Sequence, residues 1–153
     1  GLYNRRSFNA KVPSEPQQGD AVLFLDIDHF KQLNDRFGHA IGDQVLSMMA
    51  QAVQSILPTS ALLARQGGEE FVVFLPASVG DAVLHAERIR KTVADLRFPT
   101  LGSDLTVTTS VGISRALHQG DTLSDLCREA DRALYLAKAR GRNRVCEAAG
   151  EHA

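Results

Sequence analysis

The sequence predicts an α+β domain in which a mixed, mainly antiparallel sheet is flanked by helices. Three patterns indicate this fold class. Residues 21–25 form a continuous apolar run, which is typical of a strand buried on both faces. Two more apolar runs, at 62–64 and 72–75, flank a Gly-Gly pair and indicate a β-hairpin. Elsewhere, apolar residues recur three and four positions apart, as in helices that bury one face.

The first helical segment follows the buried strand directly. Apolar residues share one helical face over residues 30–37, the pattern pauses between Gly38 and Gly42, and it resumes over residues 45–56. Pro58 ends the segment, because proline has no N–H to donate and its ring clashes with the preceding helical turn. We therefore expect an interrupted helix between the first strand and the hairpin.

Periodicity also predicts the elements after the hairpin. A helix spans residues 82–96, and residues 105–113 alternate like a strand whose other face is small and polar. Residues 122–125 have a capping-box pattern and begin a helix that runs toward Gly141, and Val145 begins a short strand. The order is that of a ferredoxin-like or polymerase-palm core, β-α-β-β-α-β, with an additional C-terminal helix.

Composition limits the class of protein. The chain of 153 residues fits one domain over residues 1–153. A formal net charge of −1 argues against nucleic-acid binding, and no apolar stretch is long enough to span a membrane. Cys127 and Cys146 are too few for a disulfide scaffold, so we expect reduced thiols and a cytoplasmic location. Residues 1–6 suggest a helix already under way, as in a domain excised from a longer protein with an N-terminal regulatory region.

The hairpin carries two glutamates, Glu69 and Glu70, directly after its glycines. We expect Gly67 and Gly68 to occupy both central turn positions with positive φ. Neighbouring carboxylates beside buried strands repel each other unless a cation lies between them, and glycines let a ligand approach the backbone. The hairpin tip is therefore either a solvated turn or the edge of a metal and phosphate site.

A second acidic pair, Asp26 and Asp28, ends the buried strand. A carboxylate at this position loses hydration unless a cation lies beside it. In one interpretation Asp28 caps the following helix and Asp26 is tolerated at the rim of the core. In the other, Asp26 and the hairpin share a Mg²⁺ ion, which binds one or two carboxylates together with substrate phosphates. Two acidic clusters on separate strands favour the second interpretation.

Four blocks of sequence resemble the GGDEF family of diguanylate cyclases, and the resemblance covers nearly the whole chain. One block would be weak evidence, whereas four in the family's order are specific. The resemblance implies an enzyme that condenses two GTP into cyclic di-GMP and two pyrophosphates, with one GTP held by each of two chains. In order, the blocks are Gly1-Leu2-Tyr3-Asn4-Arg5-Arg6; Asp26-Ile27-Asp28-His29-Phe30-Lys31 with Asn34-Asp35, Gly38-His39 and Gly42-Asp43; Gly67-Gly68-Glu69-Glu70-Phe71; and Ala130-Asp131-Arg132-Ala133-Leu134-Tyr135 through Ala137-Lys138 to Gly141-Arg142-Asn143.

The resemblance also implies roles for individual residues. Asp26, the backbone carbonyl of Ile27 and Glu69 would hold Mg²⁺, or Mn²⁺ in its place, against the triphosphate. Glu69 or Glu70 would receive the proton of the attacking 3′-hydroxyl, and Lys31 would assist as negative charge moves toward pyrophosphate. A second metal, if bound, would lower the pKa of that hydroxyl.

Substrate recognition is assigned in the same way. Asn34 and Asp43 would read the guanine edge, because an amide and a carboxylate can pair with its donors and acceptor. Lys31, Lys138 and Arg142 have a structural alternative as solvated cations at helix ends, and Asn34 and His39 as local hydrogen-bonding residues. The remaining substrate-binding candidates are Phe30, Lys31, His39, Gly67, Gly68, Lys138 and Arg142.

The chain departs from the family's pattern in three places. It lacks the Asp-x-Leu-Thr that normally precedes Gly1-Leu2, which fits truncation of a linker from an upstream domain. Gln66 stands where the family usually has an aromatic residue, so packing beside the hairpin should differ. Many members have Arg-x-x-Asp ahead of the signature as a product-feedback site, but Pro58 and Ala61 occupy those positions here, so we expect that site to be absent. The alternative function is a non-catalytic GTP-binding or dimerisation module that regulates an attached domain. Loss of a signature carboxylate would favour such a module, but none is missing here.

Overall fold

The computed structural model describes residues 3–99 and 105–148. The predicted β-α-β-β-α-β core runs from β2 to β5, and α5 is the predicted additional helix. In chain order the elements are β1 (Tyr3–Asn4), α1 (Arg5–Lys11), β2 (Ala21–Ile27), α2 (Phe30–Phe37), α3 (His39–Ile56), β3 (Leu62–Gly67), β4 (Glu70–Leu75), a 3₁₀ turn (Ala77–Val79), α4 (Ala82–Asp95), β5 (Thr109–Arg115), α5 (Leu123–Ala139) and β6 (Val145–Glu147).

The strands form one sheet in the order β1-β3-β4-β2-β5-β6. The central strand β2 is antiparallel to β4 on one side and to β5 on the other, and β3 is antiparallel to β4. The two edge pairs, β1 with β3 and β5 with β6, are parallel. The sheet is therefore mixed and mainly antiparallel, which confirms the predicted fold class.

Helices cover both faces of the sheet, and the side chains of β2 alternate between two cores. Leu25 and Ile27 belong to the core covered by α2, α3 and α4. Val22 and Phe24 belong to the core covered by α1 and α5. Because Asp26 continues the second series, its side chain lies on the face covered by α5.

Gly112 of β5 brings α5 close to the sheet. A Cβ atom at this position would lie 2.2 Å from the backbone N of Leu134 and 2.3 Å from the carbonyl O of Ala130. Only glycine allows this approach without moving the helix. The helix therefore crosses β5 in direct contact and carries its last turn, with Lys138, toward the end of β2.

The start of α5 has the predicted capping box. The backbone N of Asp125 donates to Thr122 Oγ1 and the backbone N of Thr122 donates to Asp125 Oδ2, both at 3.1 Å. The strand expected from Leu105 begins only at Thr109. Thr109 is the partner of Ile27, where β2 ends, so the residues before it have no ladder partner on β2.

The opening of the chain also differs from expectation. Tyr3 and Asn4 form a strand that pairs with β3, and helix α1 begins only at Arg5. Asn4 caps α1 by accepting a 2.8 Å hydrogen bond from the backbone N of Ser7. The expectation of a helix from the first residue is therefore wrong at these positions, and residues 1–2 lie outside the described part of the chain.

Two findings concern the bounds set by composition. Cys127 and Cys146 are both buried free thiols. Over residues 3–99 and 105–148, no helix combines the length and apolar character needed to cross a membrane.

Candidate active site

A cleft of ≈ 230 Å³ opens where β2 ends. Four separate segments border it: the end of β2, the first turn of α2, the tip of the β3–β4 hairpin, and the last turn of α5 with the turn that follows. The predicted site residues that line it are Asp26, Ile27, Phe30, Lys31, Glu69, Lys138 and Arg142.

Asp26 is one of two buried acids that line this cleft, with Asp28, and it is paired with a cation. Its side chain forms a hydrogen-bonded ion pair with the Lys138 ammonium group. Burial nevertheless raises the pKa of Asp26 above its ordinary value, and the charges of Glu69 and Asp28 add to this effect against the opposing effect of Lys138. The sequence shows no cation next to Asp26, because its partner lies on α5, 112 positions away.

The hairpin brings the second acidic cluster to the same place. Glu70 is the cross-strand partner of Asp26. Burial raises the pKa of Glu70, and the charges of Asp26 and Asp131 raise it further. With Glu69 beside them, these carboxylates hold more negative charge than Lys138 can balance.

The turn itself is built differently from the expectation. Gly67 pairs with Glu70 after a bulge at Gln66, so Gly68 and Glu69 are the central turn residues. Only Gly68 has a positive φ, of 50°, and the expectation of two such glycines is wrong. Arg65 fixes the turn by donating from Nε and Nη2 to the Gly68 carbonyl, at 2.8 and 2.6 Å.

Asp28 does not cap α2. The N-cap residue is His29, in the left-handed conformation with φ 58° and with no side-chain capping hydrogen bond. Asp28 instead accepts hydrogen bonds from Ser110 Oγ (2.6 Å), Thr108 Oγ1 (2.6 Å) and the backbone N of Asn143 (2.9 Å). The interpretation of Asp28 as a helix cap is therefore wrong.

The uncapped N-terminus of helix α2 borders the cleft. Its first-turn N–H groups have no partner from an N-cap side chain, and such groups together with the helix dipole bind anions. Lys31 is exposed on this turn. His29 and Gln32 also line the cleft and were not predicted, although they belong to the same run as Asp28 and Lys31.

The turn after α5 is strained. Gly141, Arg142 and Asn143 have φ values of 121°, 65° and 47°. A left-handed conformation costs a non-glycine residue roughly 1–3 kcal/mol, so the surrounding contacts must hold this turn. Arg142 is exposed and reaches the cleft from it.

The residues predicted to read guanine lie at the junction of α2 and α3, and neither borders the cleft. Asn34 Oδ1 is buried without a hydrogen-bond partner among the described residues. It lies against Gly42, where an added Cβ would come within 1.9 Å of it. Asp43 is exposed and lines a separate groove of ≈ 550 Å³ with Arg65 and Phe71.

The other candidates lie around these two places. His39 is exposed at the first position of α3, beside Gly38 with its φ of 92°. Gly67 and Gly68 are exposed, and a Cβ at either would meet nothing within 4 Å, so there is open space at the hairpin tip. Phe30 is half-buried and packs against the core that α2 covers.

Two departures from the family's pattern are visible in the structure. Pro58 and Ala61 form a turn in which the backbone N of Ala61 donates to the Pro58 carbonyl at 3.0 Å, and the Ala61 side chain is buried. Neither can offer a guanidinium or a carboxylate. Gln66, in place of an aromatic residue, accepts a hydrogen bond from Arg5 Nη1, and Arg5 Nη2 also donates to Cys127 Sγ at 3.3 Å. Arg5 thus joins α1, the hairpin and α5.

Metal binding can be judged from the donors present. Among the described residues, no three or more His, Cys, Asp or Glu side chains are grouped so as to hold a metal on their own. The excess negative charge at Asp26, Glu69 and Glu70 nevertheless fits a cation that takes few protein ligands and completes its shell with phosphate oxygens and water.

Comparison with known proteins agrees with this geometry. The protein-family model described as "Diguanylate cyclase, GGDEF domain" matches residues 1–144. The chain is 44% identical over 154 residues to the response regulator PleD of Caulobacter vibrioides (strain NA1000 / CB15N), covering 95% of this chain and 34% of PleD. It is 40% identical over 151 residues to diguanylate cyclase VdcA of Vibrio cholerae, covering 95% of this chain and 44% of VdcA. The chain thus spans less than half the length of these relatives.

Solved structures give the same result. The active GGEEF domain of a diguanylate cyclase from Vibrio cholerae superposes with a TM-score of 0.82 at 34% identity, covering 99% of this chain and 100% of that one. The GGDEF domain of DgcB from Caulobacter crescentus, in complex with c-di-GMP, superposes with a TM-score of 0.85 at 33% identity, covering 96% of this chain and 91% of that one.

The predicted family is therefore confirmed. Diguanylate cyclases of this family are, in general, metal-dependent nucleotidyl cyclases. The chain belongs to the family of GGDEF-domain diguanylate cyclases.

Proposed function

We propose that this domain condenses two GTP into cyclic di-GMP and two pyrophosphates, at a site formed when two chains, each holding one GTP, face each other. The observation that supports this most is the meeting of Asp26, Glu69 and Glu70 beside the uncapped N-terminus of α2. The carboxylates suit a divalent cation, and the helix N-terminus suits a phosphate group.

Mg²⁺, or Mn²⁺ in its place, would be held by Asp26, the carbonyl of Ile27 and Glu69. When bound, the metal supplies Lewis-acid stabilisation of charge on the phosphate oxygens. The protein's own residues then bind and orient the triphosphate: the α2 N–H groups, Lys31, Lys138 and Arg142 surround it with donors. Phosphoryl transfer depends mainly on such positioning and charge neutralisation.

In the chemical step, the 3′-oxygen of one GTP bonds to the α-phosphorus of the other, and the bond to pyrophosphate breaks. The hydroxyl proton goes to Glu69 or Glu70. A carboxylate with a raised pKa is the better proton acceptor near neutral pH, which favours Glu70. Repetition of this step with the roles of the two nucleotides exchanged closes the ring.

Guanine recognition is assigned to the α2–α3 junction. The unpaired Oδ1 of Asn34 would accept from a guanine N–H, and Asp43 would accept another. Phe30 and His39 would border the nucleotide, and Gly67 and Gly68 would leave room for it at the hairpin tip.

The partners follow from this chemistry: GTP, a second copy of the domain, and a regulatory region outside this chain. We propose a cytoplasmic location, where GTP is available, and no contact of this domain with nucleic acid or membrane.

The test is to incubate the domain with GTP and Mg²⁺ and to identify the product by mass spectrometry across a wide range of enzyme concentrations. Cyclic di-GMP should form, and specific activity should rise with enzyme concentration as two-chain encounters become frequent. If GTP binds but no product forms at any concentration, or after fusion to a dimeric coiled coil, the domain is a binding module. A constant specific activity from a monomer would contradict the two-chain site.

A further inference from the structure

We infer that Asp28 is a positioning residue for Arg142. Its carboxylate holds the strained turn after α5 in the conformation that brings the Arg142 guanidinium to the cleft. The inference rests on the proposed function only for the role of Arg142, which is to bind phosphate. Asp28 is a carboxylate two residues beyond Asp26, and it acts through the backbone of a distant segment.

The first observation is that Asp28 is already supplied with donors. It is only 6% exposed, and it accepts from Ser110 Oγ at Oδ1 and from Thr108 Oγ1 and the Asn143 backbone N at Oδ2. A buried carboxylate is stable when it is hydrogen-bonded in this way. Asp26, in contrast, has one strong partner, Lys138, and a raised pKa. Within the Asp-x-Asp run, Asp26 therefore remains the residue suited to a cation.

The second observation is the strain of the turn. Arg142 and Asn143 are consecutive non-glycine residues with positive φ, of 65° and 47°. Such a conformation persists only where the surroundings fix it. Four hydrogen bonds do so here: Arg142 N donates to the Ala137 carbonyl at 3.0 Å, Asn143 N to Asp28 Oδ2 at 2.9 Å, Arg90 Nη1 to Asn143 Oδ1 at 3.0 Å, and Arg144 Nε, within the turn itself, to the Arg142 carbonyl at 3.1 Å.

Of these contacts, the one made by Asp28 ties the turn to the cleft. The Ala137 carbonyl belongs to the same helix end as the turn, and Arg90 reaches Asn143 from α4. Asp28 belongs to the run that ends β2 and borders the cleft itself. Because Asn143 follows Arg142 directly, this hydrogen bond fixes the backbone one residue away from the phosphate-binding side chain.

The experiment compares Asp28→Ala with Asp28→Asn. Alanine removes both oxygens that accept the three hydrogen bonds, so the turn should relax and Arg142 should lose its position. Misplacement by about 1 Å can cost on the order of 100-fold in rate, so we expect kcat/KM to fall by about 10- to 100-fold. Asparagine keeps one acceptor for Asn143 N, while the Ser110 hydroxyl can rotate to accept from the new amide. Asp28→Asn should therefore keep activity within a few-fold.

A second arm tests whether the effect passes through Arg142. In the background of Arg142→Ala, adding Asp28→Ala should cause little further loss, because the side chain that Asp28 positions is gone. The affinity of these variants for a GTP analogue that cannot release pyrophosphate should follow the same pattern: Asp28→Ala weakens binding in the original domain but adds little to the loss caused by Arg142→Ala. Thr108→Val is the matched control: it removes one hydrogen bond to Asp28 but leaves the link to Asn143, so both activity and analogue affinity should stay close to those of the original domain.

The outcomes separate cleanly. The inference is wrong if Asp28→Asn lowers kcat/KM as much as Asp28→Ala does and if the loss from Asp28→Ala adds fully to that from Arg142→Ala. The carboxylate would then act directly. Thermal melting of each variant shows whether Asp28→Ala merely unfolds the domain. In that case Asp28→Asn, which keeps the acceptor for Asn143 N, remains as the test. If the unmodified domain makes no cyclic di-GMP, the proposed function fails, while the analogue titration still decides whether Asp28 acts through Arg142.

Discussion

Acidic side chains lie near a cavity at both ends of the central sheet, but the two ends stabilise their carboxyl groups in opposite ways. Where β2 ends, burial raises the pKa of Asp26 and Glu70, and neighbouring carboxylates add to it. At the opposite end, the backbone N–H of Val83 holds the pKa of Asp81 below its ordinary value, with a contribution from Arg115. Folding therefore disfavours the charged form of the carboxyl groups at the first end and favours the charged form of Asp81.

The cavity at the opposite end is the larger of the two, at ≈ 320 Å³ against ≈ 230 Å³. Acids beside it are ion-paired within the protein: Arg115 pairs with Glu147 through Nε and with Asp81 through Nη2. Neither the number of acids nor the size of the cavity therefore identifies the functional end. What identifies it is the group Asp26, Glu69 and Glu70, in which, among the described residues, only Asp26 has an ion-pair partner, so that the charges of the two glutamates are available to a ligand.

The largest expected effect comes from removing a charge at the cleft where β2 ends. Asp26→Asn or Glu69→Gln should lower turnover by more than about 100-fold, because a bound metal contributes several kcal/mol to stabilising the transition state. The thermal stability of these variants without metal should be equal to or higher than that of the original domain, since repulsion is relieved. Assays of cyclic di-GMP formation and thermal melts measure the two effects.

Glu147→Gln is the matched control at the opposite end of the sheet. It removes a carboxylate that Arg115 pairs with, so it should leave turnover nearly unchanged and should not raise the melting temperature. If Asp26→Asn retained near-normal turnover with Mg²⁺, or if both variants behaved alike, the contrast between the two ends would have no functional meaning.

A smaller effect is expected at the α2–α3 junction. In Gly42→Ala the new Cβ would meet Asn34 Oδ1, so the Asn34 amide must move. Losing one hydrogen bond from a buried polar group costs about 1–3 kcal/mol, so GTP affinity should fall by roughly 10-fold or more while ATP affinity changes little.

Gln44→Ala, on an exposed position of the same helix, controls for changes in α3 itself and should leave both affinities unchanged. Equal losses of GTP and ATP binding in Gly42→Ala would mean that the helix junction was damaged and that Asn34 does not read guanine.

The pH dependence of stability should also separate the two ends. A carboxyl group with a raised pKa in the folded state binds its proton more tightly there than in the unfolded chain, so its contribution to stability falls as pH rises from its ordinary pKa through the raised one. Asp81 has a lowered pKa, so its contribution is present above its ordinary pKa and is lost as pH falls through the folded value.

Melting temperatures of the metal-free domain, measured across the acidic range, check this sign. The decline with rising pH should be weaker in Asp26→Asn and should be offset by Mg²⁺ with a GTP analogue. An unchanged profile in Asp26→Asn would show that this carboxyl group carries no unfavourable charge.

The smallest effect is expected at Pro58 and Ala61, which offer neither a cation nor a carboxylate. Cyclic di-GMP added at saturating GTP should cause no strong inhibition, although weak competition at low GTP is consistent with shared guanine and phosphate groups. A titration of product against initial rate measures this. Potent inhibition that GTP does not relieve would reveal a feedback site built from other residues.

Much of the fold was predictable from local patterns. The buried run of β2, the capping box at Thr122 and the pause at Gly38 each depend on neighbours in sequence, and all are present. The beginning of β5 at Thr109 was not predictable, because it depends on where β2 ends. The two acidic clusters were identifiable from residue type and position.

The hydrogen-bond and ion-pair partners of those acids were not identifiable from the sequence. Lys138 reaches Asp26 from 112 positions away, and the donors to Asp28 come from residues 80, 82 and 115 positions away. Lys138 and Asn143 reach these acids because Gly112 lets α5 lie directly on β5, whereas Thr108 and Ser110 reach Asp28 through the pairing of β5 with β2. No short pattern in the sequence encodes either approach. The sequence therefore indicated which residues could act, whereas their division into ligand-binding and positioning groups required the structure.

The most direct test of the central claim is to count the protons released when Mg²⁺ and a non-reactive GTP analogue bind. Ligand carboxyl groups must lose their protons to bind a metal, so a site with raised pKa values releases protons at mildly acidic pH. Calorimetric titration in buffers of different ionisation enthalpy measures that release. We predict proton release by the original domain and by Glu147→Gln, and clearly less by Asp26→Asn. Tight binding without proton release, identical in all three proteins, would contradict the assignment of this end of the sheet as the metal and nucleotide site.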